Sequence, residues 1–65
     1  MVINVNGQNR DVSGESSVAA LLAELRLSPE KVAVELNRRL LKTEKYSQAL
    51  KDGDELEIVT LVGGG

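Results

Sequence analysis

The sequence predicts a two-layer α+β domain, in which one main helix packs on one face of a mixed sheet of four to five strands. Two observations support this fold class. Several short segments alternate apolar and polar residues, as half-buried strands do. A single segment, beginning near Ser17, carries apolar residues at helical spacing. The chain has 65 residues, which is the length of one small domain.

The first strand is predicted by Ile3 and Val5, which alternate with asparagines. Asn6 and Gly7 follow, and this pair favours a tight hairpin turn because both residues tolerate a positive φ. The segment 8–12 is polar and would return as an edge strand, where polar side chains discourage pairing with other chains.

The helix is expected to begin after Ser16 or Ser17, because either serine is a good N-cap. It is expected to end at Ser28, since the residue before a proline avoids the α region. The apolar residues of this segment fall at i, i+3, i+4 and i+7 and form one stripe. The stripe consists of Val18, Leu21, Leu22 and Leu25.

A second hairpin is predicted over residues 32–42, with a tight turn at Asn37 and Arg38. Residues 43–46 are predicted to form a short turn, in which Tyr46 is expected to be half-buried with its hydroxyl in water. The segment 47–50 is ambiguous from the sequence.

The last strand follows a turn at residues 51–54, and its Leu56 and Ile58 are expected to face the core. If the first and last strands are neighbours, they run parallel, and the second hairpin lies on the other side of the last strand. This is the β-grasp, or ubiquitin-like, arrangement.

The composition argues against several function classes. The chain contains no cysteine and no histidine, so it has no thiol nucleophile or thiolate metal ligand, and it lacks the commonest general base and the commonest neutral metal ligand. We therefore expect a protein that is not itself an enzyme and that binds no metal. A net charge of -2 provides no electrostatic footprint for nucleic acid. With neither a long apolar segment nor a signal-peptide pattern, no membrane association is expected, and a cytoplasmic location is the default.

The glycine tail is the first candidate functional site. Residues 1–62 are predicted to form the folded domain, and Gly63, Gly64 and Gly65 a flexible tail. Three such residues reach roughly 10 Å, so the carboxylate of Gly65 could enter a narrow channel in a partner enzyme. Activation of that carboxylate requires a nucleotide, and this chain has no glycine-rich nucleotide loop. The alternative is an inert end.

The outward face of the last strand is the second candidate. Val59 and Leu61 share the parity of Glu55 and Glu57, which should be solvated. Together with Val62 they could form a docking patch beside the tail. Alternatively, the strand is central and other parts of the fold cover both residues.

Charged clusters are weaker candidates. The basic residues around Arg38 and Arg39 could steer an acidic partner, but a solvated hairpin turn explains them better. The acidic segment 52–57 is better explained as the soluble end of a strand. Asp52-Gly53-Asp54 is too short to supply a full set of cation ligands.

Several segments carry a resemblance to a known family. They are Asn6-Gly7, residues 17–22 and 32–37 and, above all, residues 52–59 followed by 62–65. In these segments, and over essentially its whole length, the sequence resembles the ThiS family of sulfur carrier proteins in thiamin biosynthesis.

The resemblance implies a β-grasp fold and a carrier function. A ThiF-like enzyme would adenylate Gly65 using ATP and magnesium, and sulfur derived from cysteine through a desulfurase would convert it to a thiocarboxylate. Thiazole synthase would accept that sulfur. Gly64 would let the tail thread the partner's channel, while Gly63 is present in some family members and absent from others. The carrier itself would bind no cofactor.

Three alternatives remain open at this point. The small subunit of molybdopterin synthase shares the mechanism, but those proteins are usually longer and often carry a proline near the tail, whereas Pro29 is the one proline here. A protein-conjugating modifier would use the same activation and end on a lysine amine. A β-grasp interaction module with an inert tail belongs to a different class.

Overall fold

A computed structural model describes residues 1–61, and this part of the chain contains five strands and one α-helix. The strand and helix lengths are short, as expected for a domain of this size. In chain order the elements are β1 (Val2–Val5), β2 (Gln8–Asp11), α1 (Val18–Glu24), a 3-10 turn (Pro29–Lys31), β3 (Val32–Leu36), β4 (Arg39–Leu41), a second 3-10 turn (Thr43–Lys45) and β5 (Glu55–Thr60).

The five strands form one mixed sheet in the order β2-β1-β5-β3-β4. The pair β1 and β5 is parallel, while β1 with β2, β3 with β4, and β3 with β5 are antiparallel. The predicted β-grasp topology is therefore confirmed. β5 is the central strand, and the polar strand β2 lies at an edge, as its composition indicates.

Both predicted hairpin turns are present. Asn6 and Gly7 have φ of 52° and 85°, and Asn37 and Arg38 have φ of 52° and 70°. Two consecutive positive φ values define the turn whose twist matches that of the flanking strands. In the second turn an arginine occupies the position that glycine adopts at least cost.

Helix α1 begins as expected, with the Ser17 hydroxyl accepting a hydrogen bond from the Ala20 N–H at 3.1 Å. Its predicted end was wrong, because the helix ends at Glu24 rather than at Ser28. Arg26 adopts a φ of 60°, and the N–H of Leu27 donates to the Leu22 carbonyl at 2.9 Å. This reversal closes the helix with its own backbone and turns Leu27 back against the core.

The core lies between α1 and the inner face of the sheet. Leu21, Leu22 and Val34 are completely buried there. The prediction for Tyr46 was wrong, since this residue is 5% exposed and belongs to the core. The other members are Ile3, Val5, Val18, Val32, Leu50, Leu56 and Ile58.

The ambiguous segment 47–50 crosses the start of the helix. The Leu50 N–H donates to the Ser16 carbonyl at 2.8 Å, and a β-bridge joins Ser17 to Ala49. The Ala19 N–H, at the first turn of the helix, donates to the Tyr46 carbonyl at 2.9 Å. Residues 46–50 therefore satisfy one helix donor, the Ala19 N–H, and place Tyr46 and Leu50 in the core.

Candidate functional site

The described part of the candidate site lies in the second half of β5 and at Leu61, the residue directly after this strand. Val59 and Leu61 are 55% and 56% exposed on the face of the sheet opposite α1. Ile58 points inward and is 8% exposed. Of the two interpretations that the sequence left open, burial of Val59 and Leu61 by the fold is therefore not observed among residues 1–61. Their use as a docking surface remains a prediction.

The predicted tail lies outside the described residues. This applies to Val62, Gly63, Gly64 and Gly65. Their proposed roles in docking, threading and acyl activation stay predictions. The last described residue, Leu61, is held by a hydrogen bond from its N–H to the Lys31 carbonyl at 2.8 Å.

Sequence reasoning missed Leu40, which is 71% exposed on β4. Leu40 and Val59 line the same shallow groove on the outer face, with Ala33 between their strands. We call Leu40, Val59 and Leu61 the outer patch. A signal for Leu40 was present, because consecutive leucines in a strand point to opposite faces and one of the pair Leu40 and Leu41 had to face outward.

Carboxylates border the outer patch. Glu35 on β3 is directly opposite Glu57 on β5, and Glu35 is also opposite Leu40 on β4. Glu55 lies two residues before Glu57 on the same face. Like charges that face each other across two strands are destabilising. The described ion pairs, Met1 N-terminus with Asp11 and Arg10 with Glu24, are elsewhere.

Two turn asparagines hold β5 from opposite sides. On the β1 side, the Ile58 N–H donates to Asn6 Oδ1 at 2.7 Å, and Asn6 Nδ2 donates to the Ile58 carbonyl at 3.2 Å. On the β3 side, the Glu55 N–H donates to Asn37 Oδ1 at 3.0 Å. The sequence identified both asparagines as turn residues and missed these contacts. The sequence did contain a signal for these contacts, because the two asparagines occupy the same position in the two hairpins that flank β5.

The acidic turn before β5 has a structural explanation. The Val2 N–H donates to Asp52 Oδ1 at 2.7 Å, and the Lys51 N–H donates to Asp54 Oδ2 at 2.8 Å. Asn37 Nδ2 donates to the other oxygen of Asp54 at 3.0 Å. These carboxylates are thus engaged in joining β5 to its neighbours, which favours the interpretation of this segment as a strand end.

Other site chemistries find no support in residues 1–61. This part of the chain contains no group of three or more acidic side chains placed to hold a metal ion. Within it, no helix has the length and apolar character needed to cross a membrane. Arg38 and Arg39 are exposed at the second hairpin, as expected for a solvated turn.

A mixed sheet with a central β5 and one helix across its inner face defines a ubiquitin-like β-grasp protein. The chain is similar in fold to a ubiquitin-like protein from the archaeon Caldiarchaeum subterraneum, with a TM-score of 0.54 and 20% identity over 92% of this chain and 95% of the other. At that identity the likeness concerns the fold alone.

Within this class the chain belongs to the ThiS family, whose family model matches residues 3–65. It is similar to the thiamine biosynthesis protein ThiS of Geobacter metallireducens, known from a crystal structure. The two share 36% identity over the full length of both chains, with a TM-score of 0.80.

A longer relative carries a second name. The chain is 46% identical over 66 residues to a thiazole synthase of Paramagnetospirillum magneticum. All of this chain is covered, but it spans about a fifth of the length of that relative (20%). In that protein a ThiS-like segment and the remaining sequence belong to one polypeptide.

Proposed function

We propose that this chain is a sulfur carrier of thiamin biosynthesis and that the carboxylate of Gly65 carries the sulfur. The observation that supports this most strongly is the match of the ThiS family model, which extends to residue 65 and so includes the whole glycine tail. The chain then acts as a co-substrate of partner enzymes and is not itself an enzyme. A cytoplasmic location remains a prediction from the sequence.

Two reactions load the carrier. In the first, a carboxylate oxygen of Gly65 attacks the α-phosphorus of ATP, and the bond to pyrophosphate breaks, which leaves an acyl adenylate. In the second, a sulfur nucleophile at the oxidation level of sulfide attacks the acyl carbon. AMP leaves with its bonding electron pair, and the product is a thiocarboxylate. A ThiF-like enzyme binds ATP and magnesium. A cysteine desulfurase holds sulfur from cysteine as a persulfide, and two electrons from a thiol reductant release it at the sulfide level while the thiol is oxidised to a disulfide.

The terminal carboxylate must be activated before it can react, because it is negatively charged. A terminal carboxylate has a pKa of about 3.5 and is ionised at neutral pH, so its carbon is a poor electrophile. A carboxylate oxygen is a poor leaving group, and adenylation converts it into part of AMP, which leaves readily. The glycines suit this chemistry, since a tail without side chains can enter a narrow channel.

We further propose thiazole synthase as the acceptor of the sulfur. The thiazole synthase of P. magneticum carries a ThiS-like segment in the same polypeptide. A covalent link raises the effective concentration of one part at the other, which favours transfer between them. This observation favours the thiazole branch over the molybdopterin branch.

The outer patch is the surface that we assign to docking with thiazole synthase. Val59 and Leu61 lie within a few residues of Gly65, so contacts there would bring the tail to the partner's active site. Val62, predicted from the sequence to share this role, lies outside the described residues. Leu40 extends the surface across β3 to β4.

The deciding experiment is intact-mass spectrometry. The full chain is incubated with a ThiF-like enzyme, magnesium-ATP, cysteine, a desulfurase and a thiol reductant. We expect a mass gain equal to the difference between sulfur and oxygen, located at Gly65 by fragmentation. A chain that lacks Gly64 and Gly65 is the control and should stay unchanged. An unmodified full chain, with a partner enzyme active on another carrier, would contradict the proposal.

A further inference from the structure

We propose that Asn6 is a positioning residue, whose side chain fixes the end of β5 and so the point from which the chain continues toward Gly65. The inference rests on the proposed function, because the position of this point matters if the following residues are presented to a partner enzyme.

Pairing between β1 and β5 ends early. The parallel register covers Asn4 with Glu55 and Val5 with Leu56, after which β1 turns away at Asn6 and Gly7. The final backbone contact between these strands in the described chain is the Asn6 N–H with the Leu56 carbonyl at 2.9 Å. The second half of β5 thus extends beyond its parallel neighbour.

The Asn6 side chain continues this pairing by one step. In β5 the backbone groups of successive residues alternate between the two neighbouring strands. The Leu61 N–H donates to the carbonyl of Lys31, the residue directly before β3. The backbone groups of odd-numbered residues therefore point toward β3, and those of Ile58 point toward β1. There the amide of Asn6 satisfies both the N–H and the carbonyl of Ile58, at 2.7 Å and 3.2 Å. The Asn6 side chain thus forms the two hydrogen bonds that the backbone of a neighbouring strand would otherwise form.

The turn alone does not explain the choice of asparagine. A positive φ at this position is equally compatible with glycine, and aspartate also tolerates it. Asparagine alone among these three offers a donor and an acceptor together, as the two groups of Ile58 require. The residue is therefore suited to holding β5, in addition to forming the hairpin.

Asn37 provides a matched control within the same molecule. It has the same φ of 52° and the same place in the other hairpin. Its side chain accepts from the N–H of Glu55, at the beginning of β5 and far from Leu61. Replacing either asparagine by glycine removes side-chain hydrogen bonds to β5 while it preserves a turn-compatible backbone.

The test compares Asn6→Gly, Asn6→Asp and Asn37→Gly in the full 65-residue chain. Amide hydrogen exchange is followed by NMR at Ile58 and Leu61. For Asn6→Gly we expect both amides to exchange roughly threefold to tenfold faster than in the wild type, the range set by loss of one hydrogen bond. Asn37→Gly should change the exchange rate of the Leu61 amide no more than it changes the rates of other amides in the sheet. Asn6→Asp keeps the hydrogen-bond acceptor, so its exchange rates should lie between those of the wild type and Asn6→Gly.

Adenylation supplies the second readout. With magnesium-ATP and the adenylating partner, kcat/KM measured by pyrophosphate release should fall roughly threefold or more for Asn6→Gly, because misplacement of a reacting group is costly. It should stay near the wild-type value for Asn37→Gly.

An unchanged Leu61 exchange rate in Asn6→Gly would overturn the proposal. Equal loss of kcat/KM in both glycine variants would also overturn it, because that result indicates a general effect on stability. If the wild-type chain is not adenylated, the proposed function fails, and the exchange rates alone decide whether Asn6 holds this end of β5.

Discussion

Glu35 and Glu57 lie directly opposite each other on the outer face of the sheet, in the antiparallel pair of β3 and β5. Cross-strand partners of like charge repel each other. Neither carboxylate forms an ion pair with a residue of the described chain. The central pair of strands therefore bears an electrostatic cost beside the outer patch.

Reversing one of these charges should stabilise the fold. For Glu35→Lys we expect the free energy of unfolding to rise by about 0.5 kcal/mol, since an opposite-charge pair replaces a repulsive one. Urea denaturation at low salt measures the change. Glu15→Lys, in an exposed turn, alters the net charge equally and serves as the control. Equal effects in the two variants would attribute the gain to net charge and contradict the pairwise explanation.

Relief of backbone strain in the second hairpin is a separate prediction. Arg38 has a φ of 70°, where a side chain is unfavourable. Arg38→Gly should therefore raise the free energy of unfolding by about 0.5–1 kcal/mol. Thermal and urea denaturation provide the measurement. The neighbouring change Arg39→Gly, within β4, should destabilise because glycine weakens a strand. A lower stability for Arg38→Gly would show that this arginine makes a compensating contact.

The core and the outer patch should respond differently to truncation of leucine. Leu22 is completely buried, whereas Leu40 is 71% exposed. Leu22→Ala should lower the free energy of unfolding by about 2–5 kcal/mol, through lost burial and a residual cavity. Leu40→Ala should change it by less than about 0.5 kcal/mol. Circular dichroism during urea denaturation compares the two. A large loss for Leu40→Ala would mean that this residue supports the fold.

Docking of the outer patch is tested by polar substitution. Leu61→Asn should weaken binding to thiazole synthase by roughly tenfold, as expected when an apolar contact residue is lost. Stability should be nearly unchanged, because Leu61 is 56% exposed. Val2→Asn, on the same face but at the opposite end of the sheet, is the control. Isothermal titration calorimetry measures both affinities. If both variants weaken binding equally, or if neither weakens it, the outer patch is not the docking surface.

The fold could be predicted well because its signals are local. Alternation in β1, β3 and β5 determines which residues face inward, and the Asn6-Gly7 and Asn37-Arg38 turns determine that β1 pairs with β2 and β3 with β4. The outward parity of Val59 and Leu61 follows from the same rule. The early end of α1 could not be predicted, since it depends on Arg26 adopting a conformation that arginine rarely takes.

The candidate site was only partly predictable for a related reason. Leu40 and Val59 are separated in the chain and become neighbours through two strand pairings. Tyr46 is buried because the segment after β4 crosses the start of α1, a contact between distant parts of the chain. No periodicity within a short segment encodes such contacts.

The sequence by itself thus determined the strands, the hairpins and the parity of β5, because each depends on neighbouring residues or on turn geometry. Tertiary structure decided the pairing of β5 with β1 and β3, the exposure of the outer patch, the burial of Tyr46 and the hydrogen bonds between Asn6 and Ile58. These features depend on which segments meet across the sheet, and a side chain such as Asn6 acquires its partner only when β1 and β5 lie side by side.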